Sequence, residues 1–162
     1  MKKLYYASFS GLSMTSRVIR GFTRSMGTSH IGVWDPENEK LIEAWGGLRI
    51  KWGWSNFKNH TLGTEYELWT LDVPDDVYET CMNTYREWAD TGHDYDWLAV
   101  IGFVLRLRRE NRRGDSCSEG AIRPLAAAMG WKKTNPAFVS PADFVSIIEA
   151  AGGDGVKKAV GF

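Results

Sequence analysis

Two alternating segments joined by a turn constrain the fold of this chain more than any other feature of its sequence. Residues 29–35, "SHIGVWD", alternate as a half-buried β-strand does, and residues 40–47, "KLIEAWGG", fit the strand that returns. The residues between them, 35–38 ("DPEN"), are typical of a turn. The sequence therefore predicts an antiparallel hairpin, around which the remaining segments must build a sheet.

The register of this hairpin decides which side chains share a face of the sheet. If Trp34 faces Leu41, then Gly32 lies opposite Glu43. His30 and Glu43 are in that case diagonal neighbours on one face, within reach of a hydrogen bond. Glu43 has apolar neighbours in the sequence, so it either has such a partner or points to solvent from an edge strand.

The other segments place the chain in the α+β class, with one antiparallel sheet packed against helices. Further strands are predicted at residues 2–11, 48–54 and 65–74. Helices are predicted at residues 14–22, 75–90, 96–105 and 141–151, and another is predicted to begin at Cys117. Pro124 is expected to kink the Cys117 helix or to end it early. Residues 1–150 are predicted to form one domain, and the glycine-rich segment 151–162 is expected to be a loosely held tail.

Composition excludes several classes of protein. The 20 basic and 20 acidic residues cancel, so no overall field favours nucleic acid or an anionic membrane as a partner. The longest apolar run, residues 97–105, is too short to span a bilayer. The N-terminus lacks the apolar core of a signal peptide, so we expect a soluble protein made in a cytoplasm.

The two cysteines lie in contrasting surroundings. Cys81 shares an apolar stripe at helical spacing with Val77 and Tyr85, which favours packing in the core. Because Cys81 and Cys117 have different roles, we expect no disulfide. Two cysteines and three scattered histidines do not make a zinc site, and the sequence predicts no metal and no cofactor.

Cys117 is placed where a reactive thiol is expected. It follows Ser116, which can cap a helix, and Glu119 falls in the first turn, where a carboxylate is favoured. A thiol at a helix N-terminus faces unpaired backbone N–H groups and the positive end of the helix dipole, which lowers its pKa. From residue chemistry alone, Cys117 is either a nucleophile or a solvent-facing structural cysteine.

A nucleophilic cysteine needs a base, and three histidines are available. His60 lies in a polar loop and His93 in a turn after a helix, so both are predicted to be surface residues. His30 begins the hairpin and is the candidate base. A base oriented by a third polar group is the logic of a catalytic triad, and Glu43 fits that third position.

Five segments together carry a resemblance to a known family: "SRVIRGFTRSMGTSHIGVWD", "LIEAWGGLRI", "HDYDWLAVIGF", "DSCSEGAIRPLAAAMG" and "VSPADF". In this order they resemble the circularly permuted branch of the NlpC-type papain-like cysteine hydrolases, the YiiX-like group, which is also common in bacteriophage genomes. In that branch the histidine strand precedes the cysteine helix, as His30 precedes Cys117. The resemblance spans about residues 4–144, and it departs from the family at Gly120 and Pro124, where bulky apolar residues are usual.

The resemblance implies a permuted papain-like fold and acyl transfer through a thioester. Cys117 would attack an amide or ester carbonyl, His30 would move the proton, and Glu43 would hold the imidazole. The cysteine helix must then present Cys117 to the sheet face that carries His30 and Glu43. The oxyanion would lie near the backbone N–H of Cys117. Tyr95 is either a second oxyanion donor or substrate contact, or a tyrosine packed at a helix start.

Three functions from different classes remain open once the resemblance is taken into account. The first is a thiol amidase or peptidase that acts on bacterial cell-wall peptides, in a cytoplasm or associated with a phage virion. The second is an acyltransferase or a lipid or ester hydrolase on the same fold, and the third is a catalytically silent binding or virion protein. Residues 106–114, "RLRRENRRG", are either a solvated segment or a surface that steers an anionic substrate.

Overall fold

The structure, a computed structural model, describes residues 1–10, 28–45, 50–95 and 115–159. The strands and helices are β1 (Lys2–Ser10), β2 (His30–Asp35), β3 (Lys40–Trp45), β4 (Lys51–Ser55), β5 (Glu65–Val73), α1 (Asp75–Thr91), α2 (Cys117–Ala128), α3 (Pro141–Ala150) and β6 (Asp154–Ala159), with short 3-10 turns at Phe57–Asn59 and Pro136–Phe138. The predicted α+β class is confirmed. The helices predicted at 14–22 and 96–105 and the arginine-rich segment 106–114 lie outside the described residues.

The six strands form one antiparallel sheet in the order β4-β3-β2-β1-β5-β6. The β2–β3 hairpin has the predicted register, with Trp34 opposite Leu41. The buried Asp35 carboxylate holds its turn, since it accepts hydrogen bonds from the backbone N–H of Glu37 at 3.0 Å and from Arg86 Nε at 2.7 Å. A slip of one residue would turn every β3 side chain to the other face, so this turn decides where Glu43 points.

The two faces of the sheet are covered differently. On the face that we call the helix face, Tyr6, Val33 and Ile42 pack with residues of α1, α2 and α3 in the main core. The opposite face, which we call the aromatic face, carries a smaller cluster of Phe9 and Leu41 with half-buried aromatic side chains around them. Because side chains alternate along a strand, residues 30 and 43 belong to the aromatic face.

Trp52 fixes the position of α2 on the helix face. Its indole is fully buried, and Nε1 donates to the backbone oxygen of Asp115 at 3.2 Å. A Cβ at Gly120 would lie only 2.3 Å from Cζ2 of Trp52, so no larger residue fits between the helix and the indole. This contact explains why a glycine stands at position 120.

Of the two effects predicted for Pro124, a kink or an early end of the helix, the early end is wrong. The helix continues to Ala128. A proline at position 124 leaves the carbonyl of Gly120 without its helical donor, and the Tyr85 hydroxyl donates to the next carbonyl, that of Ala121, at 2.6 Å. Because both Pro124 and Leu125 are buried, packing offsets the missing hydrogen bond.

The C-terminal segment predicted to be a loose tail is in part a strand of the sheet. β6 pairs with β5 from Thr70–Asp154 to Glu65–Ala159. The backbone groups along the outer edge of β5 thereby gain partners, which the glycine content of the segment did not indicate. None of the helices in the described ranges is long and apolar enough to span a membrane.

Candidate active site

Cys117 is the first residue of α2, and its surroundings stabilise a thiolate. Ser116 caps the helix in a capping box with Glu119, as the sequence predicted for the cap. Cys117 is only 6% exposed, so it is not a solvent-facing cysteine. Burial alone would raise its pKa, but hydrogen bonds from His30 and from the backbone N–H groups of Ile31 and Ser118 lower it.

His30, the first residue of β2, lies between the thiol and a carboxylate. Its ring interacts with the Cys117 thiol, and Nε2 lies 2.9 Å from Oε2 of Glu43, so Nδ1 is the ring nitrogen left for the thiol. Burial disfavours the charged imidazole, but the hydrogen bonds to Cys117 and Glu43 outweigh it and raise the pKa of His30 from 6.5 to about 10. The opposite shifts of the two groups favour a charged imidazole beside a thiolate.

The thiol and the imidazole meet where β2 begins. We expected the cysteine helix to present Cys117 to the face that carries His30 and Glu43; the body of α2 packs on the helix face, while its first residue, Cys117, interacts with His30. The side chains still meet, because His30 begins β2 and Cys117 begins α2. The backbone N–H of Ile31, the next residue of the strand, also donates to the thiol.

Glu43 is fully buried and does not point to solvent. Its strand, β3, lies between β2 and β4 rather than at an edge. Burial opposes ionisation, but hydrogen bonds from His30 and His60 lower the pKa of Glu43 to about 2. Gly32 makes room for the carboxylate, since a Cβ there would lie 3.3 Å from the Cβ of Glu43. The structure therefore brings Cys117, His30 and Glu43 together.

His60 is a member of this group that the sequence did not identify. We predicted a surface residue, but its side chain is 13% exposed, and Nε2 lies 3.2 Å from each carboxylate oxygen of Glu43. Its ring stacks on Phe9, with the ring centres 3.9 Å apart. The one available signal was the apolar sequence around Glu43, which implied that the carboxylate needs partners without saying how many.

A second polar group, which we call the Asp115 cluster, anchors the segment that leads into α2. Asp115 Oδ2 lies 2.8 Å from His93 Nε2, and Oδ1 accepts from Arg123 Nε at 2.5 Å. Arg123 also pairs with Glu119, and the His93 ring stacks on Trp88 at 4.2 Å. His93 is therefore half-buried and held by a hydrogen bond and a stacked ring, and it is not the surface residue that we predicted. Because burial and the charge of Asp115 disfavour ionisation, the pKa of Glu119 is raised to about 7.

Tyr95 lies close to the same segment. It is half-buried and follows Asp94, whose backbone oxygen accepts a hydrogen bond from the N–H of Asp115 at 3.1 Å. This places Tyr95 beside the chain two residues before Cys117. Its role as an oxyanion donor or substrate contact stays a prediction.

Cys81 is in the core, as predicted. It is fully buried among the helix-face residues, and burial raises the pKa of its thiol to about 12. Both cysteines are free thiols. Within the described ranges, no three His, Cys, Asp or Glu residues are grouped so that they could hold a metal ion.

Comparison with known proteins gives no relative from which to transfer a function: no model of a protein family matches the chain, and no curated protein matches it.

Proposed function

We propose that this protein is a thiol-dependent hydrolase that cleaves amide bonds through a thioester intermediate. The observation that carries the proposal is the arrangement of three groups, in which the Cys117 thiol interacts with His30 and Nε2 of His30 lies 2.9 Å from Glu43. A purely structural cysteine needs neither a charged imidazole nor a helix N-terminus. Opposite pKa shifts in two contacting groups are typical of catalytic acid–base pairs.

The geometry supports the following reaction. The Cys117 thiolate attacks the substrate carbonyl carbon, and the carbonyl oxygen becomes an oxyanion near the backbone N–H of Cys117, with Tyr95 as the proposed second donor. The imidazolium of His30 gives its proton to the leaving amine as the C–N bond breaks. The neutral imidazole then takes a proton from water as the water attacks the thioester, which releases the acid and restores the thiolate.

The fold we propose is the permuted papain-like fold. An antiparallel sheet that carries the histidine, followed along the chain by a helix that begins with the cysteine, supports this assignment. Fold alone does not choose a substrate. From the resemblance we propose peptides of the bacterial cell wall as the substrate class and a phage-associated role for the enzyme.

Labelling with electrophiles that carry either a peptide or an acyl recognition group tests the proposal. We expect the peptide probes to modify Cys117, and Cys81→Ala to be labelled as the native protein is. Cys117→Ala should lose all labelling. Faster labelling by acyl probes would instead indicate an acyltransferase or ester hydrolase. If neither probe class modified Cys117 faster than a plain alkylating agent, the protein would be a catalytically silent binding protein and the proposal would fail.

A further inference from the structure

The Glu43 carboxylate has one imidazole on each side. His30 Nε2 lies 2.9 Å from Oε2, and His60 Nε2 lies 3.2 Å from both oxygens. We propose that His60 is a positioning residue, which donates a hydrogen bond to Glu43 and so keeps this carboxylate ionised and aimed at His30. This inference rests on the proposed function, because it concerns the same reacting groups.

The surroundings of His60 hold its ring in one place. The ring stacks almost parallel on Phe9, at an angle of 10°. The short turn before it is capped by Asn56, whose side chain accepts from the backbone N–H of Lys58 at 2.8 Å. Asn59 Nδ2 donates to Ser55 Oγ at 3.0 Å, which ties the turn to the end of β4. Because the His60 ring is held both by stacking and by the turn before it, it can hold the Glu43 carboxylate in a defined orientation.

The burial of Glu43 makes a second donor necessary. The side chain is fully buried, and an ionised carboxylate accepts several hydrogen bonds that water supplies only at the surface. An ionised carboxylate has no proton to give, so the Nε2 atom that faces it must be a donor. Without the donor on the second side, Glu43 would be protonated more easily and free to rotate away from His30.

Alkylation of Cys117 by iodoacetamide, followed against pH by mass spectrometry, measures this effect without a substrate. In His60→Ala the acidic limb of the profile should move upward by about one pH unit, because Glu43 loses a charge-assisted hydrogen bond, is held less firmly against His30 and stabilises the imidazolium beside the thiolate less. His60→Gln keeps an N–H donor and should return the limb towards that of the native protein. In the Glu43→Gln background, His60→Ala should add no further shift.

Phe57→Leu is the matched control. Phe57 belongs to the same turn, and its ring centre lies 4.6 Å from that of Tyr66, but its side chain has no polar group that could bond Glu43. We expect the Phe57→Leu profile to match the native one. An equal shift in Phe57→Leu and His60→Ala would show that the loop acts only through packing and would overturn the inference, as would a native profile in His60→Ala.

Two further results keep this inference separate from the proposed function. If native Cys117 alkylates as an ordinary thiol does, the proposed function fails whatever His60 does. If His60→Ala does not fold, nuclear magnetic resonance of the imidazole nitrogens in the native protein decides the matter. Nε2 of His60 should carry a proton, and a His60 ring protonated only at Nδ1 would contradict the inference.

Discussion

Two histidine–carboxylate pairs flank the start of α2, and they are nearly identical by distance. His30 Nε2 lies 2.9 Å from Glu43, and His93 Nε2 lies 2.8 Å from Asp115. The imidazoles are also similarly exposed, at 23% and 26%. A pair of this kind is therefore not a sign of catalysis in itself.

The difference lies in what surrounds each carboxylate. Asp115 also binds the guanidinium of Arg123, so a permanent positive charge balances it whatever His93 does. The ion pairs of Glu43 are with His30 and His60, whose charges depend on protonation. His30 in turn contacts a thiol that can give up a proton. The Glu43 pair is therefore suited to proton transfer, and the Asp115 pair to anchoring the chain.

The largest expected effect comes from removing one histidine of each pair. His30→Ala should lower kcat/KM by at least about 10⁴-fold, because it removes both the acid and the base of the reaction. His93→Ala should change kcat/KM by less than about tenfold and lower the free energy of unfolding by roughly 1 kcal/mol. Steady-state kinetics and urea unfolding of both variants check this. Equal losses of activity would remove the distinction between the two pairs.

Replacing Glu43 should also lower activity more than replacing Asp115 does, but the loss should be smaller than that caused by replacing His30. Glu43→Gln should slow turnover by about 10²- to 10⁴-fold while the protein stays folded. His30 then loses a hydrogen bond and a charge that raise its pKa, so the alkaline limb of kcat/KM moves to lower pH. Asp115→Asn serves as the control and should leave that limb in place. A Glu43→Gln profile identical to the native one would exclude Glu43 from the triad.

The third prediction concerns the packing of α2 against Trp52, next to Asp115. Gly120→Ala should lower the free energy of unfolding by about 1–3 kcal/mol, because the new Cβ overlaps the Trp52 indole. Gly53→Ala is the matched control, since nothing lies within 4 Å of a Cβ built there, and it should change stability by less than about 0.5 kcal/mol. Urea unfolding of the two variants measures both values. Similar losses would contradict the close packing of Gly120 against Trp52.

The smallest effect is a dependence of stability on pH. The folded-state pKa of Glu119 is about 7, above its usual 4.5, so the folded state holds this proton more tightly than the unfolded state. The free energy of unfolding should therefore fall as pH rises from about 4.5 to 7, by on the order of 1 kcal/mol. Glu119→Gln should remove this fall.

The contribution of Glu43 to stability depends on pH in the opposite direction. Its folded-state pKa of about 2 lies below the usual 4.5, so its contribution is present above about pH 4.5 and is lost as pH falls towards 2. Urea unfolding between pH 3 and pH 8 separates the two carboxylates. A loss of stability between pH 4.5 and 7 that persists in Glu119→Gln would show that another group causes it.

The sequence predicted those features that depend on neighbouring residues. The hairpin register follows from the turn at Asp35 and from the alternation on either side, and this placed Glu43 diagonally opposite His30. The start of α2 followed from Ser116, and the start of α3 from Ser140, because caps act within one turn of a helix. Local physics therefore led to the three proposed catalytic residues.

Contacts between distant residues could not be predicted in this way. His60 binds a carboxylate 17 positions earlier in the chain, and His93 binds one 22 positions later, and no local pattern marks either pair. The packing of α2 on the helix face depends on the fit of Gly120 against Trp52, which has no signature in a single sequence. Pro124 gave a local signal that tertiary packing overrode.

The rate of Cys117 alkylation at pH 6 and at pH 9, with Cys81 followed in the same mass-spectrometric experiment, tests the central claim most directly. If Cys117 is a thiolate paired with the His30 imidazolium, its rate should change by less than about threefold between the two values and should far exceed that of Cys81. In the urea-unfolded protein both thiols should react as ordinary ones. A native Cys117 rate that rises by about 100-fold or more from pH 6 to pH 9, as for a thiol of pKa about 8.5, would contradict the account.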